Sequence, residues 1–496
     1  MTSTQPEVRL LSDPAVQGNI ARAAARSCYS PELVHPLEEP QAMDFALFDR
    51  DLYHAGHHSV FQHTHLTFAI SKVSRHCVTS FLHAHPFYNS SQASQRYTAV
   101  GADSYHLAAM GDEAQGIYRE TVEGLVSAYE ALVEMLTPRV AAQFRERFPE
   151  RNPEKWRQTI AGKAMEAARY VLPIGMHTHL YHTIPLLTLF RYRHAVQMCD
   201  AREETALLVD AMWQEVERRA PGIEGLFDEV MHESEFAENF VDCPRPDVRC
   251  EEFDRELDDC TVRLVLPTGP MNERIVAEAM RDVLGVDRAS ATDRELLMWV
   301  LDPAQNRPAG MTLNTGMHSP LLRCLSHARY TFQKALSHAA FSQEQRHRTL
   351  AATGPCLDVT APWIPDFVVP DIIGSDPELL KVYENAMQVA WAGIQRLHDY
   401  VDALSGYVYL LPNATRLRFW ESGSYLDFQH KARMRLCLNA QEEIRESTRE
   451  EAEAIRSVDP VLGAYLLTPC EARNKAGLTP PCPEGRRYCG VPVRAG

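Results

Sequence analysis

The chain has 496 residues, 45% of them hydrophobic, enough for a sizeable core and too apolar for wholesale disorder. A formal net charge of −16 argues against broad binding to nucleic acid or to an anionic membrane, so an anionic ligand has to be held by local arginines. No apolar run approaches the roughly 20 residues of a membrane span, the opening MTSTQPEVRLLSDP lacks a signal-peptide pattern, and 12 scattered cysteines do not read as a disulfide framework.

Those exclusions predict a cytoplasmic protein with no nucleic-acid and no membrane partner. Along the chain, EVRLLSDPAVQGNIARAAARSCYS near the start and TVRLVLPTGPMNERIVAEAMRDVLG from residue 261 read alike: a short β run, a Pro-bearing turn, an amphipathic helix. Gly-x-His-Ser follows in each, in GHHSVFQH at 56–63 and GMHSPLLR at 316–323. Next come the apolar stretches LTFAISKVSRHCVTSFL and LSHARYTFQKAL, then the polar runs SSQASQRY and FSQEQRHRT. Long helices are predicted at 113–136 and 377–401, with apolar residues at helical spacing on one face. A Leu-Pro closes each pattern, and DAREE (from Asp200) and NAQEE (from Asn439) each begin 28 residues after that Leu. The repeated order predicts two related units, 1–240 and 261–460, joined by a polar, acidic, Pro-bearing connector at 241–260 and followed by a Cys-containing tail at 461–496.

The landmarks resemble the flavin-dependent thymidylate synthases (the ThyX type), once per half. That family carries Gly-His-x-Ser, then Arg-His-Arg-x-x-Ser-x-Asn-Glu-x-Ser-x-Arg-Tyr, then Ala-Arg-x-x-Leu-Pro, and ends on a helix with Ala-Gln-x-Glu-Ile-Arg. The first half matches through His58, Ser59, His63, Ser74, Arg75, Tyr88, Asn89, Ser94, Arg96, Tyr97 and Arg169 with Leu172-Pro173, but it has His83-Ala84-His85 in place of Arg-His-Arg. The second half, LSHAAFSQEQRHRT, is read with Glu344, Gln345 and Arg348 on family positions, and its late helix matches through Arg435, Ala440, Gln441, Glu443, Ile444 and Arg445. The resemblance implies an α+β fold, two such units fused in one chain. It implies flavin-dependent methylation of dUMP to dTMP with FAD, methylenetetrahydrofolate and NADPH, and a homodimer equivalent to the family's tetramer. The rival readings are a divergent paralogue that binds a pyrimidine nucleotide with lost or altered chemistry, and a non-catalytic partner of an intact family enzyme.

By the same resemblance Ser94, Arg96, Tyr97, Arg169 and Arg435 contact the nucleotide, and Arg435 is the candidate catalytic group. A guanidinium suits this work, because it forks onto phosphate oxygens and stabilises charge building on a uracil carbonyl. Other readings stay open: Arg435 as an exposed basic residue on a helix, Arg169 as an ion-pair partner of Glu166, Ser94-x-Arg96-Tyr97 as a polar turn. Ser59, His83, His85, Asn89, Glu344 and Arg348 are the candidate flavin contacts. Histidines replace arginines on a pyrophosphate only when protonated, so FAD binding is expected to be weaker than the family's norm and to fall from pH 6 to 8. Supply of Arg346 or Arg348 from the second half would restore it. The clusters HAGHHSVFQHTH and MHTHLYH are of a kind that can ligate zinc or iron, but His58 and His63 fall on family positions that need no metal and the expected carboxylate companions are absent, so none is assigned. Cys470, Cys482 and Cys489 in the tail lack paired Cys-x-x-Cys spacing, and a zinc ion there would need a fourth ligand from elsewhere. Three reduced cysteines under an irregular tail are expected.

Overall fold

A computed structural model describes residues 3–35, 45–98, 100–101, 103–150, 152–196, 198, 200–221, 236, 246–265, 271–400 and 406–491. In the first half β1 (Glu7–Leu10), β2 (His65–Ser74), β3 (Asn89–Gln92) and β4 (His177–Pro185) form an antiparallel sheet in the order β1-β2-β4-β3. In the second half β5 (Val262–Leu264), β6 (Arg329–Ser337), β7 (Ala351–Thr353) and β8 (Arg416–Ser424) repeat that order as β5-β6-β8-β7. The chain is therefore a mixed helix-and-sheet protein with two small sheets of one topology. Alternating burial along β2 and β4 (Leu66, Phe68, Ile70; Leu180, His182, Ile184) shows why these segments pair as strands: one face of the pleat is apolar and turned inward. The first sheet carries one extra residue, a bulge between Ile70 and Val73 where Lys72 has φ 55°, whereas β6 pairs with β8 in unbroken register.

The helices that position the rest are α1 (Pro14–Ser27), α2 (Asp112–Arg147), α3 (Arg157–Ala168), α4 (Leu186–Ala195), α5 (Arg202–Arg219), α6 (Pro246–Leu257), α7 (Met271–Leu284), α8 (His338–Glu344), α9 (Pro377–His398), α10 (Tyr425–Arg435), α11 (Glu442–Val458) and α12 (Pro469–Lys475). Helix α2 runs past the expected 136 to Arg147 and carries Pro138 within it. Helices α2 and α9 pack antiparallel, because Glu120 near the start of one meets Arg396 near the end of the other and Arg139 meets Asp376 and Glu378. Their apolar faces, which a lone unit would expose, cover each other inside a single chain and join one core that includes residues of both halves.

The two Leu-Pro segments cross at the centre and exchange matching backbone hydrogen bonds. Ile174 N–H donates to Leu411 O and Asn413 N–H to Leu172 O, both at 2.8 Å; Gly175 N–H donates to Tyr409 O and Ala414 N–H to Tyr170 O, both at 2.9 Å. Each bond in one half has its counterpart in the other, so the halves face each other across an approximate two-fold axis.

The described part of the connector is not an extended linker. Helix α6 lays Phe253 and Leu257 on Ala335 and Trp420, on the outer face of the second sheet, and Asp254 grips Arg418 at 2.5–2.7 Å. Residues 241–245 lie outside the described set.

Candidate functional site

The site is built around a repeated Ser–Glu–Tyr arrangement. Ser74 ends β2 and its Oγ caps the next turn at Cys77 N–H; Ser337 ends β6 and caps α8 at Ala340 N–H. Glu204 accepts from Ser74 N–H and Oγ–H, both at 2.6 Å, and Glu443 does the same for Ser337 at 2.6 and 2.5 Å. The phenol of Tyr170 reaches across to Glu443, and that of Tyr409 reaches across to Glu204. Each carboxylate is thus satisfied by a serine of its own half and a tyrosine of the other. Gln441 extends the first network, bonding to the Tyr170 phenol and accepting from Gln343 Nε2 at 3.2 Å.

Five arginines gather beside this network, two from the first half and three from the second. Arg96 pairs with Glu166 and donates to Asn439 O at 3.2 Å. Glu166 is occupied by Arg96 and Lys163, so it is no ion-pair partner for Arg169. Arg169 is buried, and its Nε and Nη2 have no hydrogen-bond partner among the described residues; burial, the largest influence, lowers its pKa. Arg435 is half-buried rather than exposed. Its Nε meets His347 Nε2 at 2.9 Å, its Nη2 donates to Gln343 O at 2.9 Å, and burial lowers it to about 10, so it stays charged at neutral pH. The charges of Arg96 and Arg346 also act on Arg435, which places all three together. Arg346 is exposed and donates to Ser90 O at 3.4 Å; Arg348 is exposed, donates to Asn89 Oδ1 at 2.9 Å and lies over the Tyr88 ring. Half-buried Arg75 adds a further cation, with Nη2 on Ala93 O at 2.8 Å and an unpartnered Nε.

The strand registers show what faces this cluster on the other side of the axis. Ser74 pairs with His177 as Ser337 pairs with Arg416, and Asn89 pairs with Thr183 as Ala351 pairs with Ser422. Carried along both halves, these registers place Arg96 opposite Asp358, Arg169 opposite Val408 and Arg435 opposite Val196. Arg346 and Arg348 stand nine and eleven residues after Ser337, as His83 and His85 do after Ser74. The triplet Arg346-His347-Arg348 thus stands at the same offset as His83-Ala84-His85, a correspondence that the reading of Glu344, Gln345 and Arg348 there does not use. The mate site is acidic: Asp200 accepts from Leu357 and Asp358 N–H, and burial followed by the Asp200 charge raises Asp358 to about 6.

Several expected contacts prove to be elsewhere. His83 is buried against the Tyr88 ring, and burial, with Arg346 nearby, lowers it to about 3; burial lowers His85 to about 4 while it bonds the Tyr192 hydroxyl at 2.8 Å. Neither histidine is a cation at neutral pH, so neither replaces a guanidinium. Glu344 is 1% exposed and paired with Lys334 at 2.5 Å and Lys431 at 2.7 Å, which removes it from any flavin surface. Glu421 and Glu451 join it closely enough to share a cation, but the two ammonium groups already fill that role. Ser59 is exposed on the 58–63 turn, whose contacts run from His58 and Phe61 to Tyr53 and Phe190 and do not involve the arginines. Ser94 Oγ accepts from Arg96 N–H at 3.2 Å, Tyr97 is exposed beneath the Arg96 guanidinium, and Asn89 is held by Arg348. The polar run forms strand β3 first and a turn at 95–97 after it.

The family model described as "Thymidylate synthase complementing protein" matches the chain twice, over residues 9–222 and 264–461. The chain is 29% identical over 227 residues to a flavin-dependent thymidylate synthase of Clostridium tetani, covering 44% of this chain and 84% of that protein. A flavin-dependent thymidylate synthase of Mycobacterium sp. (strain JLS) is 28% identical over 183 residues, 36% of this chain and 67% of that one. Among solved structures, a UMP/dUMP methylase PolB from Streptomyces cacaoi bound with 5-Br dUMP has 19% identity over 41% of this chain and 93% of its own, at a TM-score of 0.32.

Proposed function

Because the chain belongs to the thymidylate synthase complementing protein family, we propose that it methylates dUMP to dTMP, dependent on FAD, with methylenetetrahydrofolate and NADPH as co-substrates. The reaction is assigned to one composite site per chain, built from both halves of a tandem duplication. The observation that carries this is the convergence of Arg96 and Arg169 with Arg346, Arg348 and Arg435, where the mate positions hold Asp358, Val408, His83, His85 and Val196.

The residues fit an anionic nucleotide and a flavin pyrophosphate. Unpartnered buried nitrogens on Arg169 and Arg75 are a cost that an incoming anion or carbonyl removes. Arg346 and Arg348 are exposed, and their hydrogen-bond partners among the described residues are a carbonyl and an amide oxygen, which a phosphate displaces readily. Bound, the reduced flavin supplies hydride and the folate a one-carbon unit. Arg96 and Arg169 would grip the nucleotide phosphate and ring. Arg435, kept charged and aimed by His347 and Gln343 O, would stabilise negative charge on a uracil carbonyl and so make C5 nucleophilic. The Gln343–Gln441–Tyr170–Glu443 chain fixes the wall between the two halves. Calorimetry with dUMP tests the reading: one nucleotide per chain is expected, and two per chain or none overturns it. The proposal includes a homodimer of the chain as the four-unit body; light scattering that finds a monomer at micromolar concentration would remove that part.

A further inference from the structure

The tail cysteines have a neighbour that their spacing could not show. Cys437 lies in the turn between α10 and α11, half-buried, with Glu484, Cys489 and Cys470 near enough to act on its thiol. Cys482, also half-buried, has the same neighbours, Cys470, Cys489 and Glu484. Hydrogen bonds tie the same pieces together: Asn439 Nδ2 donates to Arg487 O at 2.8 Å, two residues from Cys437 and two from Cys489, and Arg473 Nη2 donates to Pro480 O at 3.0 Å, beside Cys470 and Cys482. Two of the sulfurs already accept backbone N–H groups from two residues on, Asn439 to Cys437 and Glu484 to Cys482. Such amide-to-sulfur bonds fix the direction in which a sulfur points. Glycines with positive φ stand where the chain must turn back around these sulfurs, Gly485 (53°) after Cys482 and Gly490 (81°) directly after Cys489.

We propose that Cys437, Cys470, Cys482 and Cys489 form a structural site for a thiophilic, tetrahedral divalent cation, zinc by chemical class. Four thiolates with no carboxylate or imidazole match that preference. No three of the four sulfurs lie within 4.8 Å of one another, so the shell is assembled from neighbours but not closed. Binding draws the sulfurs in and releases their thiol protons, with no change of oxidation state. Cys437 is two residues from Arg435 and two from Asn439, whose carbonyl receives Arg96. A closed shell would therefore brace the turn that carries part of the composite site; that consequence alone rests on the nucleotide reading.

Elemental analysis of the full chain purified without chelator, with Co2+ uptake followed by absorption, tests the site. About one zinc per chain is expected, with cobalt–thiolate bands on exchange and loss of both in Cys437→Ser and, separately, in Cys489→Ser. The second variant alters only the tail, so it stays informative should the first fail to fold. Metal-free protein that takes up no Co2+, a disulfide between any two of the four, or zinc retained in Cys482→Ser and Cys489→Ser would each overturn the proposal. Failure of dUMP binding with zinc still present would strike the nucleotide reading and leave this one standing.

Discussion

The two halves place different chemistry at the same points of one topology. By strand register His182 matches Glu421, Tyr192 matches Lys431 and Phe81 matches Glu344. The first half fills that buried space with a neutral network, in which Tyr192 OH bonds His182 at 3.0 Å and His85 at 2.8 Å. The second half fills it with charges, Lys334 and Lys431 against Glu344, Glu421 and Glu451, each no more than 2% exposed. The arginines divide with the same asymmetry: the positions matching Arg96, Arg169, Arg346, Arg348 and Arg435 hold Asp358, Val408, His83, His85 and Val196. The shared topology tolerates this, since the same positions can be basic in one half and apolar or acidic in the other without loss of the fold.

The largest effect that would break this comparison is on stability. Removing one cation from the second-half cluster by Lys431→Met leaves three buried carboxylates facing Lys334 alone, with an expected loss of ~3–5 kcal/mol. Tyr192→Phe, at the matching point of the first half, removes two neutral hydrogen bonds and should cost about 1–2 kcal/mol. Urea titrations of the two variants rank them; equal losses would mean the charged cluster is not the interlocked unit described.

Affinity comes next. Arg96→Ala or Arg435→Ala should weaken dUMP by roughly ten- to a hundredfold, the value of a charge-assisted contact of ~1.5–3 kcal/mol. Val196→Ala and Val408→Ala, across the axis, should leave affinity unchanged at comparable stability. Parent-like binding by both arginine variants would end the composite-site reading.

Gly393→Ala probes the axis itself. A Cβ there would collide with the Thr121 side chain at the α2–α9 crossing, whereas one at Gly124 meets Val389 Cγ1 at 3.2 Å, where a small shift relieves it. Overpacking of a tight crossing costs ~1–3 kcal/mol, so Gly393→Ala should melt well below Gly124→Ala. Similar melting temperatures would show that the helices part more easily than this packing implies.

Much of this was legible in sequence, and the gaps have physical causes. The repeated strand, Gly-x-His-Ser, long helix and Leu-Pro are local patterns whose order survives divergence, so the first strand of each half and the starts of the long helices fell near where the periodicity put them, while the first long helix runs on to Arg147. Arg346-His347-Arg348 was also visible, and the distance from Ser337, equal to that from Ser74 to His83, was the signal that could have placed it. Glu344 looked like a ligand contact because its partners Lys334, Glu421, Lys431 and Glu451 are scattered along the chain and meet only in the fold. The orphaned nitrogens of Arg169 and Arg75 are facts of burial, which no spacing reports.

A smaller effect separates the halves by pH. Burial holds His83 at about 3 and His85, His106 and His177 at about 4, below the unfolded value near 6.5. In that window the unfolded chain binds more protons, so the first half loses stability as pH falls from 6.5 toward 4. In the second half burial likewise lowers His338 to about 3 and lowers His347, but it also raises Glu421 to about 7, with Lys334 and Lys431 opposing and Glu344 and Glu451 reinforcing the shift. The Glu421 contribution has the opposite sign, present at low pH and lost as pH rises through 7. Hydrogen exchange corrected for intrinsic rates should therefore show protection in β2 and β4 falling more than in β6 and β8 between pH 7 and 5. Equal losses would refute the division.

The smallest expected effect is none at all. With His83 at about 3 and His85 at about 4, both stay neutral throughout pH 6–8. The cations acting on His83 are Arg346 and Arg348, and the one acting on His85 is Arg191; guanidinium groups do not titrate there. The first-half sequence taken alone predicts flavin affinity that falls across this range; the assembled site predicts an affinity that does not change. FAD titration followed by absorption at pH 6 and pH 8 separates the two, and Arg346→Ala with Arg348→Ala should abolish binding at both. A fall in the parent's affinity with rising pH would return the pyrophosphate to the histidines, and FAD binding that survives the double variant would take it away from this loop.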